Sequence, residues 1–176
     1  MPAPDDRPLR VYLPATIAML RTLVEERELR AVSGTAFAVT PALREAYASG
    51  DDEELAEVAM GEAARAALRL LAAEAEDSGA PPIQRRAVIA ADVTGATPRP
   101  DLDDAVVRLA GPVPYAKIAS VHVDLADAEA DVAKAVEVID AADLGDPDAE
   151  FTLGDAEDHQ LAWYATQELP FLLELL

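Results

Sequence analysis

The chain has 176 residues, of which 34 are acidic and 14 are basic, and its formal net charge is −20. A field this negative repels phosphate backbones, so direct binding to nucleic acid is excluded as a working hypothesis. The chain contains no cysteine, which excludes disulfides, thiolate nucleophiles, zinc–sulfur sites and iron–sulfur clusters.

The amino-terminal residues 1–9, MPAPDDRPL, are predicted to form a flexible leader before a single domain at residues 10–176. The leader carries prolines and aspartates where a secretory signal needs a basic start and an apolar run. No apolar stretch approaches the roughly 18 residues that a membrane span requires. Together with the lack of cysteine, these observations predict a cytoplasmic protein with no membrane contact.

Strand and helix patterns alternate through the first half of the chain. A strand is predicted at residues 10–13, where apolar and polar residues alternate. Thr16, Thr40 and Asp51 each precede a helical pattern and are predicted to cap it. The third of these helices extends to about Gly79, and its mostly small apolar stripe predicts close packing against another element: Leu55, Ala59, Ala63, Ala66 and Leu70.

Small and β-branched residues predict three strands in the middle of the chain, at residues 85–93, 105–111 and 115–125. The last two are joined by only three residues, PVP, which predicts that they form an antiparallel pair. An acidic helix is predicted at residues 127–143. The segment 143–158 is predicted to be a solvated acidic linker, because its carboxylates do not have the spacing of a calcium loop.

Residues 158–170, DHQLAWYATQELP, contain the only tryptophan of the chain and allow two interpretations. Helical spacing would place His159 and Trp163 on the same side of a helix. Pro170 argues against this helix, because it would remove one hydrogen bond and clash with the preceding turn. A strand followed by a new helix avoids this cost.

A comparison of the chain with itself supports the strand. AFAVTPALREAY at residues 36–47 matches AWYATQELPFLL at residues 162–173, with threonine in both where a strand would end and a helix begin. This match predicts that Trp163 faces the core and that Thr166 caps the last helix. A duplicated strand, helix, strand and helix is one explanation, and chance similarity between alanine-rich segments is the other.

The predicted fold is an α+β domain with two layers, one of sheet and one of helices. This class follows because the elements alternate but also include neighbouring strands with short connections. If the duplication is real, a hairpin at residues 85–109 would lie between the two copies. The large alanine content predicts a core with close backbone approach.

Candidate binding residues come from the polar faces of the predicted strands. Tyr12 and His122 occupy equivalent positions in the two proposed copies, and Tyr164 is expected on the same sheet face. His122 and Asp124 on one strand face would suit proton transfer. The alternative is an ordinary half-exposed sheet face, with Asp124 capping the next helix instead.

Metal and cofactor chemistry has little support in the sequence. Asp92 and Asp124 both fall near strand ends, where two carboxylates could hold Mg²⁺ or Ca²⁺, but no third ligand is evident. The sequence contains no glycine-rich phosphate loop, HExxH motif or nucleophile elbow. We therefore expect no metal and no cofactor.

Three segments, RVYLPAT, TAFAVTPALREAYASGDDEEL and LAWYATQELP, occur in that order along the chain. In these segments the chain resembles an uncharacterised family of conserved hypothetical proteins from high-GC bacteria. The resemblance covers most of the chain and implies a single cytosolic domain. It implies no activity, ligand or role for a particular residue.

Function therefore remains unknown at this level, with three hypotheses. The first is a non-catalytic binding or regulatory module, whose partner is a basic protein or a small molecule. The second is a small enzyme with a site near Tyr12, His122 and Asp124. The third is an acidic mimic of nucleic acid. The amphipathic tail PFLLELL is also compatible with docking on a partner subunit in a homo-oligomer.

Overall fold

The computed structural model describes residues 7–176. Nine strands and six α-helices lie in this part of the chain, in the order β1 (Leu9–Ala15), α1 (Ile17–Glu26), β2 (Glu28–Leu29), β3 (Thr35–Ala38), α2 (Pro41–Ala46), α3 (Asp52–Ser78), β4 (Ala87–Val93), β5 (Thr97–Pro98), β6 (Val106–Arg108), β7 (Val113–Pro114), β8 (Ile118–Val123), α4 (Glu129–Asp143), α5 (Pro147–Glu157), β9 (Ala162–Tyr164) and α6 (Leu169–Glu174).

Seven strands form one antiparallel sheet in the order β5-β6-β3-β1-β4-β8-β9, and β2 and β7 form a separate short pair. The central strands are buried on both faces, which explains their nearly continuous apolar sequence. One side of the sheet, here the α1 face, packs on α1 and α6 through residues such as Leu13 and Ile89. The opposite α3 face packs on α2 and α3 through Tyr12, Phe37 and Val88.

The three predicted helix caps are confirmed. The hydroxyl of Thr16 accepts the backbone N–H of Met19, and the hydroxyl of Thr40 accepts that of Leu43. The carboxylate of Asp51 accepts a backbone N–H in the first turn of α3 in the same way. Each bond satisfies a donor that has no partner inside its own helix, so these short-range sequence signals determine where the helices begin.

The α+β class is confirmed, and helices occupy both faces of the sheet. The expected sheet and helix layers are therefore joined by a third layer. α4 packs on α3 and α5 and forms a further apolar cluster with the carboxyl-terminal half of α3, through residues such as Leu68, Leu71 and Ile139. The segment 143–158 was expected to be a linker, but it contains α5, which Asp146 caps through two backbone N–H groups.

The predicted pairing of β6 with β8 is wrong. Three strands, β3, β1 and β4, lie between them, and the short PVP connection contributes to the separate β2–β7 pair. Within residues 85–109, where a hairpin was expected, β5 and β6 form a short antiparallel pair at the sheet edge. β4 takes no part in this pair, because it lies in the centre of the sheet between β1 and β8. The order strand, helix, strand and helix is interrupted by β2 in the first proposed copy and by α5 in the second. The copies also differ in packing, since α1 packs on the sheet and α4 on α3.

The predicted leader is described only in part. Residues 1–6 lie outside the described residues, and Leu9 already belongs to β1. None of the helices in residues 7–176 combines the length and the apolar character that crossing a membrane requires.

Candidate functional site

A groove of about 660 Å³ opens between α3 and the segment that connects α5 to β9. One wall is the outer side of α3, and the other consists of residues 157–161. The arginine that precedes β4 lies at its base. The lining residues are Glu57, Val58, Met60, Gly61, Glu62, Ala64, Arg65, Arg86, Glu157, His159, Gln160 and Leu161.

Both arginines of the groove are neutralised by carboxylates. Arg65 donates to Glu150 at 2.8 Å and to Asp143 at 3.1 Å, two acidic residues contributed by α5 and α4. Arg86 forms a bidentate pair with Asp124, with both N···O distances at 2.8 Å. The groove therefore presents no uncompensated arginine.

The carboxylates of the groove are not compensated in this way. Glu57, Glu62 and Glu157 form no ion pair with any cation in residues 7–176. Burial raises the pKa of Glu62 above its ordinary value, and the negative charges of Asp103 and Glu157 raise it further, against the opposing effect of Arg65 and its neighbour Arg69. The groove is consequently negative, and a bound cation would relieve this repulsion.

The base of the groove is held by a buried ion pair between β4 and β8. The side chains of Arg86 and Asp124 are 4% and 0% exposed. Asp124 also accepts the backbone N–H of Arg86 at 2.8 Å, and Arg86 donates to the backbone carbonyl of His159 at 3.0 Å. This network ties the segment before β9 to the sheet and so fixes the distance between the two walls of the groove.

His159 completes the rim of the groove. Its Nε2 lies 2.8 Å from a carboxylate oxygen of Asp131 in α4, and both side chains are about one third exposed. The contact joins the segment between α5 and β9 to helix α4. The sequence pattern indicated His159 only as a partner of Trp163 and gave no signal that placed it at this site.

Among the predicted site residues, the structure brings Tyr12 and His122 to the same face of the sheet. Tyr12 is buried under α3, and this burial raises the pKa of its hydroxyl above the ordinary value. His122 is half-buried, and its Nε2 lies 3.1 Å from the hydroxyl of Ser120. Burial lowers the pKa of His122, and the positive charge of Arg10 lowers it further.

The expectation that Tyr164 joins this face is wrong. Tyr164 is paired with Val121 and packs against the core on the α1 face. Trp163, which was expected in the core, is paired with His122 on the α3 face, and 61% of its surface is exposed. The strand was correctly predicted, but its two faces are exchanged.

Asp124 does not form the pair with His122 that the proton-transfer hypothesis requires, and His122 contacts Ser120 instead. The carboxylate of Asp124 is committed to Arg86, and the helix that follows has no side-chain cap. Asp92 forms a separate pair with Arg10, whose guanidinium holds the pKa of Asp92 below its ordinary value. The two aspartates lie at opposite ends of β4, and residues 7–176 contain no group of three or more acidic or histidine side chains placed to hold a metal ion.

A family model described as a family of unknown function, DUF6912, matches residues 9–173. The chain belongs to this family. Membership in DUF6912 confirms the resemblance found in three segments of the sequence and extends it over nearly the whole chain. No curated protein and no solved structure matches the chain. The function of this DUF6912 member must therefore be inferred from its own residues.

Proposed function

We propose that the protein is a binding module whose groove receives a lysine- or arginine-rich segment of a protein partner. The observation that carries this proposal is the charge balance of the groove, in which the arginines are paired and Glu57, Glu62 and Glu157 are not. A cationic side chain in the groove would supply the missing opposite charge. A cytoplasmic location is part of the proposal.

The apolar part of the groove also suits a basic side chain. Val58, Met60 and Leu161 also line the groove and can contact an aliphatic stem, while the ammonium or guanidinium group reaches the carboxylates. The net charge of −20 would attract a basic partner from a distance and speed its association. The same field disfavours nucleic acid as an occupant.

Gly61 supports an occupied groove. It lies inside the 27-residue helix α3, with neither a positive φ nor a close neighbour, since a Cβ built at this position would meet no atom within 4 Å. Glycine inside a helix costs about 1 kcal/mol relative to alanine. Nothing in residues 7–176 requires glycine at this position, and the proposal gives the open space above it a use, as room for a ligand.

The proposal is tested with a synthetic hexalysine peptide and the double variant Glu62→Gln/Glu157→Gln. The variant removes two charges from the groove, and we expect it to weaken peptide binding about five- to ten-fold. Binding is measured by isothermal titration calorimetry, and by the fluorescence of Trp163, which lies two residues beyond Leu161 on the same strand face. Hexaglutamate should not bind.

The matched control is Glu25→Gln/Glu26→Gln, which removes two exposed charges from α1, on the other side of the sheet. Equal losses of affinity in both double variants would show a response to net charge alone and would contradict a groove site.

The pH profile gives a second check. Because the pKa of Glu62 is raised, its carboxylate becomes charged at a higher pH than an ordinary glutamate. The affinity of the wild-type protein for hexalysine should therefore rise as the pH passes through this pKa. The groove variant, which lacks the Glu62 carboxylate, should not show this rise.

Gly61→Ala tests whether the groove needs its open space. The added methyl group should stabilise α3 by about 0.5–1 kcal/mol and, at the same time, weaken hexalysine binding. Gly154→Ala is the control, because Gly154 is also inside a helix with no atom within 4 Å and lies outside the groove. Urea unfolding and calorimetry should show stabilisation in both variants and weaker binding only in Gly61→Ala. Unchanged binding in Gly61→Ala would remove the support from this glycine.

A further inference from the structure

The two edges of the sheet differ in how well they are protected against pairing with another strand. Edge strand β5 has two residues, and one of them is Pro98, which has no N–H to donate. The opposite edge strand β9, Ala162–Tyr164, pairs with β8 on one side only and contains no proline. Edge strands are usually protected by proline, by charged residues or by being very short, and β9 has only the last of these protections.

The chain around β9 is also unusual in its charge. Residues 160–167, QLAWYATQ, contain no charged side chain, although 27% of all residues are charged. Trp163 lies in the middle of this segment and exposes 61% of its surface. An apolar, uncharged surface of this kind on an acidic protein is typical of an association site.

We propose that two copies of the chain associate through β9, with the two strands antiparallel about a twofold axis near Trp163. The pairing would satisfy the free backbone groups of both edges and extend one sheet into the other. Because Trp163 is the middle residue of β9, the two indole rings would lie opposite each other on the α3 face. Such cross-strand aromatic pairs stabilise antiparallel sheets.

Charge identifies a second copy as the occupant. A copy that approached the acidic helices would bring two strongly negative surfaces together, whereas at β9 it meets a segment as uncharged as its own. Antiparallel pairing of identical strands is self-complementary, as a twofold interface must be. This inference does not depend on the groove, which lies between α3 and the start of β9.

The two proposals respond to salt in opposite directions. The copies each carry a charge of −20, so screening should strengthen the dimer, while it weakens binding of a basic peptide to the groove. Sedimentation velocity of the purified chain is measured over about a hundred-fold range of protein concentration, at about 0.05 M and about 0.5 M salt. We expect a monomer–dimer equilibrium that shifts toward the dimer at the higher salt concentration.

In the Trp163→Glu variant, each protomer of a dimer would bring one negative charge to the proposed axis. The two charges would repel each other, and dimerisation should weaken at least about thirty-fold. Phe151→Glu is the matched control, because Phe151 is another exposed aromatic residue but lies on α5. The wild-type protein gives an independent readout, since its single tryptophan should shift its emission to shorter wavelength as the concentration rises. Circular dichroism checks the fold of each variant.

Three results would overturn the proposal. The first is a wild-type protein that stays monomeric over the whole concentration range at high salt. The second is a dimer that Trp163→Glu leaves intact, and the third is a dimer that both variants weaken equally. If Trp163→Glu fails to fold, the emission of the wild-type protein decides, and a spectrum independent of concentration would count against pairing at β9.

Discussion

Replacing Asp124 with alanine is expected to lower the free energy of unfolding by about 3–5 kcal/mol. The guanidinium of Arg86 would remain buried without its counter-ion, and the backbone N–H of Arg86 would lose its acceptor. Removing one partner of a buried ion pair costs more than the pair contributes, because the remaining charge stays out of contact with water. Urea unfolding monitored by circular dichroism measures the loss.

Two variants separate this explanation from a general effect of losing an aspartate. Asp92→Ala breaks the half-exposed pair with Arg10 and should cost about 1 kcal/mol or less. The double variant Arg86→Met/Asp124→Leu removes both charges and should recover a large part of the stability lost in Asp124→Ala. A loss in Asp124→Ala no larger than that in Asp92→Ala would show that the buried pair does not hold the strands.

The second large effect is expected for Ala63→Leu in α3. Ala63 has no exposed surface and faces the sheet among Tyr12, Phe37 and Val88. Three extra carbon atoms have no space there and would push the helix away from the strands, at a cost of about 1–3 kcal/mol. The midpoint of urea unfolding measures this change.

Ala73→Leu provides the comparison, because Ala73 is exposed on the same helix. Both variants replace alanine with leucine, so they change the intrinsic helix propensity by the same amount. Its effect should be close to zero. If the two variants unfolded at the same urea concentration, the close approach of α3 to the sheet would not be limiting. The small-residue stripe predicted from the sequence would then have no energetic consequence.

The local parts of the fold could be predicted from the sequence. Helix caps at Thr16, Thr40 and Asp51 act within one turn, so a few neighbouring residues are enough to recognise them. Thr166 shows the limit of this approach. Its hydroxyl donates to the carbonyl of Ile118. It does not cap α6, because a 3₁₀ turn at Thr166–Glu168 comes first and α6 begins only at Leu169.

Strand partners could not be predicted, because pairing is a competition among strands far apart in sequence. The three-residue connection made β6 and β8 look like neighbours, yet β8 pairs with β4 and β9. Alternation in β9 correctly gave two faces but not which one is buried. α3 packs mainly on β1, β3 and β4, and the larger ring, Trp163, is left exposed at the sheet edge.

The candidate groove was not predicted, because its residues come from α3, the start of β4 and the end of α5. One signal in the sequence was available. Arg86 directly precedes one buried strand, and Asp124 directly follows another, which is where two opposite charges must find each other or remain unpaired. The carboxylates of the groove gave no such signal in a chain with 34 acidic residues.

The central position of β1 has a consequence for how the chain folds. Every residue of β1 is paired with β4, a strand that follows roughly 70 to 85 residues later. Closing a loop of this length costs entropy before the contacts compensate, and sheets with such distant pairs fold slowly, in milliseconds to seconds. During synthesis, β1 must wait without its main partner until β4 has left the ribosome.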